Sequence, residues 1–223
     1  MAKLINEPLF RLFKLKIKED KLDEFAAVGK QNLLTSIKNE SGTLGMYTGH
    51  IDDTGIDNCV IELYKDEPSY QVHANSPQFK AFREVAGDVV VEQSVVSLTP
   101  LILVQEGYGL KSVDSKDVFV SLTEFQVDSA DTKKFQSLLS TEIHKSIDTG
   151  SGTITLYLGQ EQDDNSKLIL FEVFEDEPKY KAHLQSEAFQ QFINEAKSLI
   201  KGQQTDVLHP DVMVNHGELL FEK

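Results

Sequence analysis

From Phe10 to Ile17 apolar and polar residues alternate. Phe13, Leu15 and Ile17 share one face and Lys14 and Lys16 the other, which is the period of a half-buried strand. The period then lengthens to that of a helix. Leu22, Phe25, Ala26, Gly29, Leu33 and Ile37 form one stripe, with Asp20 placed to cap it and Ser41-Gly42 to end it. Strands follow at 43–51 and 58–65, joined by the polar turn Asp52-Asp53-Thr54-Gly55. A helix from Ser69 to about Gln93, kinked near Pro77, and a strand from Val95 to Gln105 complete a βαββαβ order. Pro100 inside that last strand predicts a bulge or an edge position.

The same pattern then returns. Residues 120–216 repeat residues 10–106 at a constant offset of 110, with the second helix stripe at Thr132, Phe135, Leu139, Ile143 and Ile147. In the segments beginning at Glu62 and Glu172, nine of 21 positions are identical, including Asp66/Asp176, Pro68/Pro178, His73/His183 and Ser76/Ser186. So long a period excludes a solenoid or propeller and predicts a duplicated domain. The expected organisation is a first domain over 1–107, a linker over 108–117 and a second domain over 118–223. The middle strands are apolar on both faces. Cys59, Ile61 and Leu63 share one face, and Val60 and Tyr64 flank Glu62 on the other. Helices can cover one face only, so the second copy is expected to cover the other as a pseudo-symmetric partner within the chain. Residues 218–223 are expected to add a short strand.

Composition narrows the partners. With 22 basic and 36 acidic residues the formal charge is −14, unsuited to nucleic acid or an anionic membrane surface. The single cysteine, Cys59, excludes a disulfide framework or a structural zinc site within one chain. The first ten residues lack the apolar core of a signal peptide, and no apolar run reaches the length of a membrane span, so a cytoplasmic protein is expected. There is no phosphate-binding loop, nucleophile elbow or metal-ligand spacing.

Chemistry concentrates on the repeated segment. His73 and His183 each lie on a helix, 11 residues after a mid-strand carboxylate, Glu62 or Glu172. A buried carboxylate needs a partner, and a Glu–His pair would orient an imidazole for general acid–base work. The structural alternative is a histidine that locks its helix to the sheet. Tyr47, Tyr64, Tyr157 and Phe174 are strand aromatics suited to lining a flat pocket, or to plain core packing. The copies differ at Tyr64/Phe174, His50/Gln160, Asn75/Gln185 and Arg83/Ile193, which places the expected pocket in the first half, between its sheet and second helix.

This arrangement resembles the antibiotic biosynthesis monooxygenase family: a strand Glu, an aromatic two residues on, Asp, a helix carrying His, Ser three later, then Phe79 and Phe82 at helical spacing. The resemblance covers nearly the whole chain. It implies an α+β fold in which two ferredoxin-like βαββαβ domains form a dimeric α/β barrel, here within one chain. It implies a cofactor-independent monooxygenase acting with O₂ on a small electron-rich aromatic, a polyphenol or hydroquinone, with no metal. On that reading His73, Glu62, His183 and Glu172 are the catalytic candidates, and Tyr64, Tyr47, Phe174 and Tyr157 the substrate-binding ones. The haem-degrading branch uses a tryptophan and a histidine one residue past the Phe82 position. This chain has no tryptophan and carries Arg83 and Ile193 there, so haem degradation is not expected. A non-catalytic or isomerase-like small-molecule binder is the alternative, and further association of two chains stays open.

Overall fold

The computed structural model describes residues 2–4, 6–113, 117–148 and 150–223. Residues 114–116 of the expected linker and Thr149 lie outside the described residues. The first half contains β1 (Ala2–Lys3), β2 (Leu9–Ile17), α1 (Leu22–Asn39), β3 (Thr43–His50), β4 (Asp57–Tyr64), α2 (Glu67–Ala74), α3 (Pro77–Val89) and β5 (Val90–Gln105). The second contains β6 (Lys111–Val113), β7 (Phe119–Val127), α4 (Thr132–Asp148), β8 (Thr153–Glu161), β9 (Lys167–Phe174), α5 (Glu177–Gln185), α6 (Glu187–Ala196), β10 (Ile200–Asn215) and β11 (Leu219–Glu222). The expected C-terminal strand is therefore present.

Two local expectations need correction. The segment expected as one kinked helix from Ser69 to Gln93 is two helices and the start of a strand. Ser76 breaks it by capping a new helix, its hydroxyl accepting from Phe79 N at 3.3 Å, with Pro77 in the first turn. Asp66 caps α2 in the same way, accepting from Ser69 N at 2.9 Å. The valine-rich run after Val89 then enters the sheet, because β-branched residues favour a pleated surface. Asp20 does not cap α1; it lies in a 3₁₀ turn, Glu19–Lys21, and α1 has no side-chain N-cap.

Strands β5, β2, β4, β3, β10, β7, β9 and β8 pair in that order, and β8 pairs back onto β5. All eight contacts are antiparallel, so the sheet closes into an eight-stranded barrel with no open edge. The register obeys the sequence offset. Arg11 faces Glu62 and Ser121 faces Glu172, while His50 faces His209 and Gln160 faces Thr99. Each 16-residue strand, β5 and β10, pairs along its first part with its own half and along its second with the other. The changeover falls at Pro100 and Pro210, where the register shifts as a bulge, as expected. Opposite them lie Gly159 and Gly49, where a Cβ would come within 2.8 Å of Phe10 and 2.7 Å of the His209 carbonyl.

Strand parity divides the side chains into two cores. Cys59, Ile61 and Leu63 point into the barrel, with Phe10, Tyr47, Tyr157 and Phe171. There the Tyr47 and Tyr157 hydroxyls meet at 2.8 Å. Asn215 donates to Tyr47 at 3.0 Å and Gln105 donates to Tyr157, so residues related by the 110 offset ring the barrel's pseudo-symmetry centre. Burial alone would make these hydroxyls costly; pairing them removes that cost and fixes how the halves meet. On the outer face, the helices of the second half cover one continuous cluster. Those of the first half cover two separate clusters, one around Phe25, Val60 and Val89, the other around Leu33, Met46 and Tyr64.

Because the junction is close-packed at the glycines, Gly159→Ala is expected to destabilise the chain by about 1–3 kcal/mol through overpacking. Chemical denaturation checks this. A lower midpoint with an unchanged slope is expected, and an unchanged midpoint would show that the junction has room to spare.

Candidate active site

The gap between the two outer clusters of the first half is a cavity, and Glu62 stands in its wall. An inner chamber of about 230 Å³ runs beneath α1, lined by Gly29, Asn32, Thr48, His50 and Asn58, with Asp211 reaching in from β10. An outer cleft of about 830 Å³ runs beneath α2 and α3, lined by Arg11, Tyr70, Phe79 and Arg83. Val60, Glu62 and Phe82 border both. On β3 the partner of Glu62 is Met46 and the partner of Asn58 is His50. Glu62 and His50 are thus four residues apart along the sheet, roughly 13 Å at about 3.3 Å per residue. That span suits a flat ligand of two rings.

Glu62 is 7% exposed and hydrogen-bonds to no other residue within the site. Burial raises its pKa above the ordinary glutamate value, with His73, Tyr64 and Arg11 partly offsetting the rise. The Tyr64 hydroxyl is directed at Glu62 without reaching hydrogen-bond geometry, and burial raises its pKa well above that of a free phenol. Arg11, directly across from Glu62, lays its guanidinium over the Tyr70 ring at 4.0 Å. At the far end, His50 Nδ1 lies 3.3 Å from Asp211, its ring stacked on His209 at 5.0 Å between centroids. His209 in turn is 3.2 Å from Asp53. The inner chamber therefore has a desolvated carboxylate at one end and an oriented imidazole at the other.

The expected pairing of Glu62 with His73 is not formed. The partner of His73 is Glu40, at the end of α1: Nδ1 donates to its carboxylate at 3.0 Å. Glu40 also accepts from Thr43 at 2.7 Å and Gln78 at 2.6 Å, which ties α1, β3, α2 and α3 together. Burial acts to raise the Glu40 pKa, but the hydrogen bonds from His73 and Thr43 outweigh it and hold the carboxyl below its usual range. His73 lines neither chamber, and its Nε2 has no hydrogen-bond partner in the protein. Tyr47 and Tyr157 also differ from expectation. Their parity on the strand sends them into the barrel, where they bind each other rather than line a helix-side pocket. His50, singled out as a difference between the copies, does line the chamber; Asn32, Thr48, Asn58 and Asp211 were missed.

In the second half the deep part of the corresponding space is filled, leaving a surface cleft lined by Thr132, Gln136, Ser140 and Gln160. Gly29, Thr48, Asn58, Val60 and Asp211 are matched at the 110 offset by Leu139, Leu158, Leu168, Leu170 and Leu101, all buried in one cluster. Glu172 remains among them, bound by the Ser121 hydroxyl at 3.2 Å. Burial, reinforced by nearby Glu142, pushes its pKa up to about 8. His183 lies 3.7 Å from Glu142, and burial lowers its pKa to about 4. Phe174 packs against His183 at 5.1 Å between ring centroids. These residues form a buried counterpart of the first site. Among the described residues, no group of three or more His, Cys, Asp or Glu side chains could hold a metal ion. No helix is long and apolar enough to cross a membrane.

Comparison with known proteins agrees with the duplication. The family model described as antibiotic biosynthesis monooxygenase matches twice, over residues 8–85 and 118–195. No curated protein matches the chain. Among solved structures, a provisionally named monooxygenase of Lactobacillus acidophilus is 23% identical, with a TM-score of 0.87, covering 96% of this chain and 99% of its own. A second, from Fusobacterium nucleatum, is 20% identical with a TM-score of 0.88, covering 98% and 99%. A protein described as anthrone oxidase-like is 10% identical with a TM-score of 0.57 and covers 97% of each chain. At these identities the likeness is one of fold.

The buried Glu172 has a measurable consequence. Its folded pKa of about 8 stands above the ordinary value of 4.5, so between these values the unfolded chain loses a proton that the folded chain keeps. Its stabilising effect is complete below pH 4.5 and declines as pH rises towards 8. Glu172→Gln should remove that decline and stabilise the chain at pH 8, relative to wild type, on the order of 3 kcal/mol. Denaturation midpoints at pH 5 and pH 8 read it out, and parallel pH profiles for both proteins would contradict the assignment.

Proposed function

The chain belongs to the antibiotic biosynthesis monooxygenase family, and we propose that it is a cofactor-independent monooxygenase whose active site is the first-half cavity. On this reading the halves are ferredoxin-like domains, 1–107 and 118–223, forming within one chain a barrel usually made by two. The substrate is a small dihydroxyarene. The observation that carries the proposal is the buried carboxylate of Glu62 in the wall of a chamber whose deep positions are occupied by leucine in the second half.

Glu62 is the candidate base. Desolvation raises its proton affinity above that of an ordinary carboxylate, which makes it a stronger base. It takes a phenolic proton; the phenolate passes an electron to O₂, and the radical pair joins to form a C–O bond. Loss of water leaves the quinone, so one oxygen atom enters the ring and the other leaves as water. His50, held by Asp211, is placed to exchange a proton at the other end of the ligand. Phe82 and Val60 supply apolar walls that exclude water from the phenolate. Tyr64 stands beside the base. His73 is a positioning residue that fixes α2 through Glu40, while His183, Glu172 and Phe174 belong to the second half, which lacks the deep chamber. The rival reading, a small-molecule binder without turnover, draws on Tyr64, whose hydroxyl beside Glu62 makes no hydrogen bond among the described residues.

The probe is 1,5-dihydroxynaphthalene with O₂, followed as formation of 5-hydroxy-1,4-naphthoquinone and uptake of oxygen. Glu62→Gln should lower the rate by about 10²–10⁴ without lowering the melting temperature, whereas Glu172→Gln should retain it. Gly29→Leu, which installs the second half's residue where a Cβ meets nothing nearer than Phe82 at 4.0 Å, should abolish binding while leaving the chain at least as stable. Binding without oxygen uptake would favour the binder. Equal rates for wild type and Glu62→Gln would refute the proposed base.

A further inference from the structure

We propose that the outer cleft is an anion subsite, and that the ligand of this cavity is an aromatic acid whose carboxylate, or equivalent anionic group, lies between Arg11 and Arg83. The inference rests on the proposed site and extends it by naming the substrate class.

Four charged groups line the cleft: Arg11, Arg83, Glu62 and Glu92. Neither arginine makes an ion pair with a carboxylate among the described residues. That is notable in a chain of net charge −14, where acceptors are abundant. Arg11 stands across the sheet from Glu62, and its guanidinium lies over the Tyr70 ring. A guanidinium held over an aromatic face spends none of its N–H donors on the ring's rim, and they stay free for a planar oxyanion. Arg83 reaches the same cleft from α3. Glu92, on β5, is exposed to solvent and weakly opposes an anion there.

The second half again supplies the contrast. At the matching positions it has Ser121 and Ile193, so both guanidiniums are lost where the inner chamber is also lost. Ser121 satisfies Glu172 directly at 3.2 Å, which Arg11 does not do for Glu62. The arginines thus accompany the open chamber and not the fold. Since Glu62 borders both spaces, a ligand with its phenolic ring in the inner chamber would extend past Glu62 into the cleft. A carboxylate is the group that two arginines at that end would select, since each presents paired donors to a planar anion.

The test is calorimetric titration, without oxygen, of three probes: 3,5-dihydroxy-2-naphthoate, its methyl ester and cyclohexanecarboxylate. The acid is expected to bind at least about tenfold more tightly than its ester, and raised salt should shrink the difference. Arg11→Gln and Arg83→Ile should each remove most of that preference, bringing the affinity for the acid down to that for the ester. Arg83 is exposed, so its replacement does not threaten folding. Equal affinity for acid and ester, or a preference that survives both substitutions, overturns the anion subsite while leaving the aromatic site standing. Cyclohexanecarboxylate binding as tightly as the naphthoate, and lost with the arginines, keeps the anion subsite and defeats the phenolic reading. No binding of any probe overturns both.

Discussion

A four-stranded sheet that is apolar on both faces cannot stand in water. Each half of this chain has such a sheet, and its helices cover only one side. The remaining face, with Cys59, Ile61, Leu63 and their counterparts, is buried only by the other half. Everything else follows from that requirement. Strands β5 and β10 run long enough to cross into the other half, a bulge at each proline lets them do so, and a glycine opposite each bulge gives the chains room to approach. The Tyr47–Tyr157 hydroxyl pair closes the centre.

Joining the halves in one chain frees them from being identical. In a symmetric dimer any cavity is present twice, with its cost in lost packing. Here leucine occupies the positions in the second half where the first has Gly29, Thr48, Asn58 and Val60, so the deep chamber is kept in one half only. The separation is incomplete, because Asp211 of β10 lines the first-half chamber and orients His50. The site belongs to the barrel, not to one half alone.

Much of this was legible in the sequence, for definite reasons. The offset of 110 carries over into every strand register, so repetition alone gave the barrel's internal symmetry. Glu62 stood out because a carboxylate between Val60 and Tyr64 has to be either costly or useful. The partner of His73 was not legible, since Glu40 becomes its neighbour only when α1 ends against α2. Nor was Asp211, whose place depends on pairing across the junction. The direction of Tyr47 depended on which parity faces the helices. The leucine substitutions were in plain view, but only the structure shows that these scattered positions enclose one volume.

The central claim is that the ligand binds in the first half, in the deep chamber beneath α1, with a contribution from β10. Backbone amide NMR during titration with 1,5-dihydroxynaphthalene under nitrogen tests it most directly. The account predicts shift changes at Gly29, Thr48, Asn58, Glu62 and Asp211, with Leu139, Leu158, Leu168 and Leu101 unmoved. Changes of equal size at both sets, or changes confined to the leucine set, would contradict it.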